Sequence, residues 1–287
     1  MEVVEDPADR LPAMVMGEWS EKKHRLLRHY VDISHAARRG WVDPVEAARR
    51  NITGGPAGAA YIELFSGPGR LCLRDSGNFV DGSPLVAHAE AKRTRTAFTS
   101  MHLCDERPDF CSAVAARLRA RGAHPTVYPM PAAEAAARVV EALNPHGLNF
   151  AFLDPFGFEE LPFSVIETLG RFKRMDLLIY VSAMGLQKNL PKWIKSQECP
   201  LDAFAPGWRK AVYGRRGTDI VTRGLIFEHW LSLIRGIGFQ DPSGKPPLIR
   251  GPNSQALYWL VLVAKHELAT RFWETISRDE NQGDIFS

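Results

Sequence analysis

Glu63-Leu64-Phe65-Ser66-Gly67-Pro68-Gly69 is the stretch on which the reading of this 287-residue chain turns. It closes the run Ala60 to Phe65, which reads as a strand, and it ends in two glycines. Gly67 and Gly69 lack a Cβ, so the backbone there can take positive φ and approach a ligand closely. In doubly wound sheets ligands sit beyond the carboxyl ends of the strands. Glu63, near the end of the strand, can orient the loop or receive a ligand's amino group. A tight strand exit that binds nothing uses the same glycines, so the motif gains meaning only from what surrounds it.

Downstream the chain alternates. Ser83 to Lys92 reads as a helix, with Ser83 as cap and Pro84 at its first position. Ala97 to Cys104 reads as a strand, Pro108 to Arg121 as a helix and His124 to Tyr128 as a strand. Pro131 to Leu143 reads as an Ala-rich helix, Leu148 to Leu153 as an apolar strand, Phe163 to Phe172 as a helix and Met175 to Val181 as a strand. Strands alternating with helices imply a mostly parallel sheet covered on both faces. Residues 184–221 read as irregular, and Thr222 to Arg235 as a helix. Pro247 to Arg250 and Ala256 to Ala264 read as an antiparallel strand pair, with Leu268 to Arg278 as a closing helix. Upstream, residues 1–17 lack periodicity and read as a disordered start. From Glu18 to about Arg39, Trp19, Leu26, Leu27, Tyr30, Ile33 and Ala37 recur at helical spacing. Lys22, Lys23, Arg25, Arg28 and His29 fill the other face. Pro44 to Arg50 reads as a second short helix. The break Thr53-Gly54-Gly55-Pro56-Ala57-Gly58 then separates an N-terminal helical extension, 1–55, from a main domain, 56–287.

Two further strand exits carry chemistry. Asp105-Glu106 follows the strand ending at Cys104. An acidic residue there can accept hydrogen bonds from both ribose hydroxyls of a nucleotide-like ligand. The interval from Gly69 to Asp105 exceeds the about 20 residues usual for that arrangement. The excess is accounted for if 70–82 is an inserted loop, as Asp75, Ser76, Gly77, Asn78, Asp81 and Gly82 suggest. A solvated acidic pair capping the helix at Pro108 is the plain alternative. Asp154-Pro155-Phe156-Gly157 follows the strand Leu148 to Leu153. It resembles the D-P-P-Y/F motif of amino-directed nucleic-acid methyltransferases, where a side-chain oxygen and the proline carbonyl hold an exocyclic amine and the aromatic ring stacks on a flipped base. The second proline is missing, with Phe156 in its place. Asp154 as a simple helix cap is the alternative.

Within 184–221, Lys188, Lys192, Lys195 and Arg209 are interleaved with Trp193 and Trp208. Such a segment can engage phosphates and stack bases, or be a solvated face over core tryptophans. The net charge of +3 permits an anionic partner without demanding one. The four cysteines and nine histidines form no metal-ligand spacing, so no metal is expected. Cys104 and Cys111 read as buried small residues. No apolar run approaches the about 20 residues of a membrane span, so no membrane association and a cytoplasmic location are expected.

The whole pattern resembles the three-Cys-motif partner protein family (TcmP). The resemblance runs from about Trp19 to the C-terminus. It rests on Lys22 and Tyr30, on residues 61–69, on Gly82-Ser83-Pro84-Leu85, and on Phe152-Leu153-Asp154-Pro155-Phe156-Gly157. Met175-Asp176-Leu177-Leu178-Ile179, Tyr258-Trp259-Leu260 and Phe272-Trp273 complete it. It implies a class I methyltransferase-like (Rossmann-like) fold, with a mostly parallel sheet, a C-terminal antiparallel strand pair and N-terminal helices. It also implies a radical-AdoMet-like iron–sulfur partner protein. On this reading S-adenosylmethionine (AdoMet) is the cofactor, held by Glu63, Phe65, Gly67, Pro68, Gly69, Asp105, Glu106 and Met130. Asp154, Pro155 and Phe156 position the acceptor. This chain has Glu63 where the family more often has Asp. It has Pro129-Met130-Pro131 where methyltransferases often place an acidic residue near the adenine; a backbone contact at Met130 is the expected substitute. Three functions remain open: methyl transfer to a nucleic acid or nucleotide, AdoMet chemistry on a small molecule, and a non-catalytic partner role.

Overall fold

The computed structural model describes residues 1–51, 56–214, 219–240, 246, 248–251 and 255–267. The chain opens with strands β1 (Val3–Glu5) and β2 (Pro12–Met16), followed by helices α1 (Trp19–Ile33), α2 (His35–Val42) and α3 (Pro44–Arg49). Strand β3 (Ala59–Glu63) leads into the glycine turn and a hairpin, β4 (Arg70–Leu73) with β5 (Phe79–Asp81). Then come α4 (Ser83–Arg93), β6 (Ser100–Cys104), α5 (Pro108–Ala120), β7 (Thr126–Tyr128), α6 (Ala132–Ala142), β8 (Leu148–Leu153), α7 (Phe163–Leu169) and β9 (Met175–Val181). Four helices follow: α8 (Ala183–Lys195), α9 (Pro200–Phe204), α10 (Trp208–Val212) and α11 (Asp219–Gly236). Strands β10 (Leu248–Arg250) and β11 (Ala256–Ala264) end the described fold. The expected helix from Leu268 to Arg278 lies outside the described residues, as do Phe272 and Trp273.

The main sheet has seven strands in the order β10-β11-β9-β8-β3-β6-β7. Strands β3, β6, β7, β8 and β9 are parallel. Strand β11 runs antiparallel to β9, and β10 antiparallel to β11. This is the class I methyltransferase-like architecture. Strand β3 sits between β6 and β8, so the chain leaves it outward on one side and returns on the other. The crevice beyond β3 and β8 is therefore the switch point at which such sheets bind ligands.

The central strands are apolar because both faces are covered. All five residues of β3 are buried. One face carries Ile62, Leu153 and Ile179 beneath α6, α7, α9 and α11. The other carries Tyr61, Phe152 and Leu178 beneath Leu26, Leu27 and Tyr30 of α1, Leu85 of α4 and Val114 of α5.

Three expectations are corrected. Residues 1–17 are ordered: β2 pairs in parallel with β4, Met14 opposite Leu71, in a second sheet ordered β1-β2-β4-β5. The inserted loop 70–82 is therefore largely a hairpin, with Gly77 at its tip in positive φ. Residues 184–221 are not irregular but carry three helices and the start of a fourth. A smaller correction concerns Ser83. Gly82 is the N-cap of α4, Ser83 opens the helix, and Pro84 follows it. Gly82 is required because its N–H donates to the Gly69 carbonyl at 2.8 Å and a Cβ there would lie 3.0 Å from that backbone.

Candidate functional site

The turn after β3 is built from its glycines upward. Gly67 (φ +55°) and Gly69 (φ +83°) adopt the conformation that glycine alone takes without strain. A Cβ on Gly67 would meet Met14 Cε at 2.8 Å, and one on Gly69 would meet Val114 at 3.0 Å. The Pro68 carbonyl accepts from the buried Arg117 guanidinium at 2.7 Å, and Arg117 also pairs with Asp9 at 2.7 Å. The N-terminal sheet is thus clamped to the turn.

Glu63 lies beneath the turn rather than in the cavity. Tyr61 Oη donates to one carboxyl oxygen at 2.6 Å and Ser83 Oγ donates to the other. Burial pushes its carboxyl well above the usual range, against the pull of those two donors. Its role is to orient the loop and the start of α4, and only Ser83 connects it to the cavity wall. Asp105 stands behind the turn. It accepts from the Gly67 N–H at 3.1 Å and the Arg107 N–H at 3.0 Å, and burial raises its carboxyl above the usual value. Each carboxylate oxygen keeps acceptor capacity beyond these bonds. Glu106 is exposed.

Met130 does not offer the free backbone expected of it. Its N–H donates to the Tyr128 carbonyl at 3.0 Å, and its carbonyl accepts from Cys104 Sγ at 3.0 Å. Burial pushes the Cys104 thiol up to about 12, so it stays a neutral donor rather than a nucleophile. Cys111 is buried as well, in line with its reading as a small core residue.

Beyond the β3 and β8 exits lies a cavity of about 640 Å³, within the roughly 300–1,000 Å³ typical of small-ligand sites. Phe65, Ser66, Gly69 and Ser83 line one side, and Asp154, Pro155 and Phe156 another. Two of the three strand exits singled out in the sequence thus open into one cavity, while Asp105 buttresses it from behind. The Phe156 N–H donates to the Glu160 carboxylate at 2.8 Å, which shapes the turn and leaves the Phe156 ring more than half exposed at the rim. Asp154 is not a helix cap: both its oxygens accept from Lys23 Nζ at 2.8 Å.

Lys23 is the residue that sequence reasoning missed. The sequence groups it with the basic outer face of the leading helix, but its side chain is only 10% exposed. Its Nζ lies 4.3 Å from the Tyr180 ring centroid and 4.9 Å from that of Tyr258. Tyr258 Oη donates to the Trp19 carbonyl at 3.4 Å, tying β11 to the start of α1. Ser20 and His24 flank Lys23 on the same cavity wall. Positions 20, 23 and 24 share one helical face by their i, i+3, i+4 spacing, but the spacing alone does not mark that face as the inward one.

The basic segment divides. Lys188, Lys192 and Lys195 are exposed on α8. Trp193 and Trp208 are buried, which corrects their reading as stacking platforms. Trp193 packs edge-on against Phe158 at 5.6 Å, and Trp208 Nε1 donates to Asp202 at 2.8 Å. Arg209 pairs with the same Asp202 at 3.1 Å instead of standing free. Arg215 and Arg216 lie outside the described residues. Among the described residues no group of three or more histidine, cysteine or acidic side chains could hold a metal ion. No helix there is long and apolar enough to cross a membrane.

No family model matches the chain, and no curated protein matches it. Among solved structures it is similar to a protein of Legionella pneumophila str. Philadelphia 1, at 13% identity over 60% of this chain and 74% of that one, TM-score 0.38. It is similar to a SAM-dependent methyltransferase from Anabaena variabilis ATCC 29413, at 13% identity over 84% and 93%, TM-score 0.35. A geranyl diphosphate methyltransferase in complex with SAM aligns at 10% identity over 81% and 85%, TM-score 0.32. The fold assignment rests on strand order and direction.

Proposed function

We propose that this chain is an AdoMet-dependent methyltransferase that acts on an amine, with the cavity beyond β3 and β8 as its site. The observation that carries the reading is the shared cavity: Phe65, Ser66 and Gly69 at the β3 exit and Asp154, Pro155 and Phe156 at the β8 exit face one space at the switch point of a class I sheet. The cradle fits the cofactor's amino-acid end, because Gly69 lines the cavity beside Phe65 and Ser66 with no Cβ to fill it. Asp105 holds the turn in register through Gly67 and keeps acceptor capacity for a ribose hydroxyl, though neither it nor the exposed Glu106 lines the cavity. When bound, AdoMet supplies an electrophilic methyl group. The chain's own part is placement: Asp154 and the Pro155 carbonyl accept hydrogen bonds from the acceptor amine, and positioning of this kind supplies much of the acceleration in a group transfer.

Calorimetry with AdoMet tests the cofactor. Micromolar binding is expected in the parent, and a loss of roughly tenfold or more in Asp105→Ala, as one lost charge-assisted hydrogen bond is worth about 1.5–3 kcal/mol. No heat of binding in the folded parent protein would remove the reading.

For the acceptor we favour the amine of a nucleic acid or nucleotide. Its support is the exposed row Lys188, Lys192 and Lys195 on α8, the helix whose first turn lines the cavity through Met184. Retention of RNA or DNA that weakens steeply with salt is the expected sign. The second reading is a non-catalytic partner of a radical-AdoMet-like iron–sulfur protein, as the TcmP resemblance implies. The Lys23–Asp154 pair favours it, because the acceptor carboxylate is already engaged.

A further inference from the structure

We propose that Lys23 is itself a methyl acceptor, so that the chain methylates its own Lys23 Nζ. The inference rests on the reading of the cavity as an AdoMet site and of Asp154 as the residue that holds the acceptor amine.

The seat at Asp154 is built for a compact cation. It combines a carboxylate that takes two hydrogen bonds at 2.8 Å with the faces of Tyr180 and Tyr258 at 4.3 and 4.9 Å. Its occupant is the amine of Lys23, inside the same cavity as Phe65 and Gly69. A structural tether does not account for this placement. Helix α1 is already anchored by the buried Leu26, Leu27 and Tyr30, and Tyr30 Oη donates to Asp176 at 2.7 Å. An ion pair withdrawn from water adds little net stability, since desolvation offsets the attraction. The seat also suits the product. Methylation of lysine keeps its charge, and aromatic faces recognise methylated ammonium groups.

The step balances without a further reagent beyond the sulfonium donor. The Lys23 ammonium releases a proton by way of the neighbouring Asp154 carboxylate to solvent. The freed nitrogen pair forms the N–C bond to the donor's methyl carbon. The C–S bond breaks with its pair left on sulfur, so the sulfonium becomes a neutral thioether. The nitrogen keeps its two remaining protons as it gains the methyl, so methylated Lys23 is formed as a cation in the seat.

The full chain, purified and incubated with trideuteromethyl AdoMet, is digested and sequenced by tandem mass spectrometry. The label is expected on Lys23, at a rate independent of protein concentration because the acceptor is intramolecular. Asp154→Asn is expected to slow labelling by roughly a hundredfold. A second readout needs no turnover. Lys23→Met removes a cation from beside the methyl, so its preference for cationic AdoMet over neutral S-adenosylhomocysteine, by calorimetry, is expected to rise about tenfold or more. If AdoMet binds and Lys23 stays unlabelled, or the label falls on other lysines, the inference is overturned while the cofactor site stands. A rate that climbs with protein concentration, or an unchanged preference in Lys23→Met, overturns it too. If neither ligand binds, the underlying reading fails first.

Discussion

At the scale of single residues, α1 turns the neighbouring Lys23 and His24 away from water, and the two behave differently. Lys23 finds a carboxylate, whereas His24 has only burial. Desolvation, with the Lys23 and Arg28 charges adding to it, holds the His24 imidazole down to about 3. In the unfolded chain it titrates near about 6.5. Between those values the unfolded state binds a proton that the folded state refuses. Stability from this group is therefore complete above pH about 6.5 and is lost as the pH falls toward 3, at up to about 1.4 kcal/mol per pH unit. His24→Gln removes the titration. Urea melts of parent and variant between pH about 7 and 5 should show the stability gap between them shrinking on acidification. Parallel pH dependences would mean that His24 is solvated in the native state.

At the scale of elements, the outcome followed how much periodic signal each one carries. Strands β8 and β9 have the boundaries expected from the sequence, because six and seven consecutive apolar-rich residues between turn formers leave little alternative. The glycine turn was legible for the same local reason. Strands β1 and β2 were not: they are three and five residues long, and β2 is stabilised by pairing with β4, far along the chain. Helices α9 and α10 have five residues each, too few to display a helical period, and the lysines of α8 masked its inward row of Leu186, Leu190 and Trp193. Of the site, the two strand exits were readable, but Lys23 was not. A lysine's spacing cannot say which face of a helix meets a carboxylate more than a hundred residues away. The buried aromatics give this region a testable cost. Trp208→Ala should lower unfolding free energy by about 3–5 kcal/mol, as truncations of buried aromatics do. Lys192→Ala on the exposed side should stay within about 0.5 kcal/mol. Chemical denaturation distinguishes them, and a mild Trp208 variant would contradict its burial against α11.

At the scale of the whole molecule, the N-terminal sheet is the part that turns a generic α/β scaffold into an enclosed site. The seven-stranded sheet supplies the crevice, but Met14 and Met16 of β2 form a wall of the cavity. That wall is held from both sides. Met14, Leu71 and Phe110 pack as a small cluster of their own. The Arg117 guanidinium reaches Asp9, the Pro12 carbonyl and the Pro68 carbonyl, and Arg70 bridges Asp6 at 2.8 Å to Asp81 at 3.1 Å. The main core of β3, β8 and β9 with their helices does not include β1 or β2. A chain begun at Gly17 should therefore keep its helical circular dichroism while losing the wall. AdoMet affinity is expected to fall by about tenfold or more, because the Gly67–Gly69 turn is then bordered by solvent instead of Met14. Arg117→Ala leaves the wall's residues in place but strips its clamp and strands the two carbonyls. Asp9 lies at the surface and stays solvated, but leaving a buried acceptor unsatisfied costs about 1–3 kcal/mol, and at roughly 2–4 °C per kcal/mol for a domain of this size the melting temperature should drop by about 2–12 °C. Calorimetric titration of the shortened chain and thermal melts of Arg117→Ala decide the matter together. A shortened chain that is folded and binds AdoMet as tightly as the parent would show that the crevice alone makes the site.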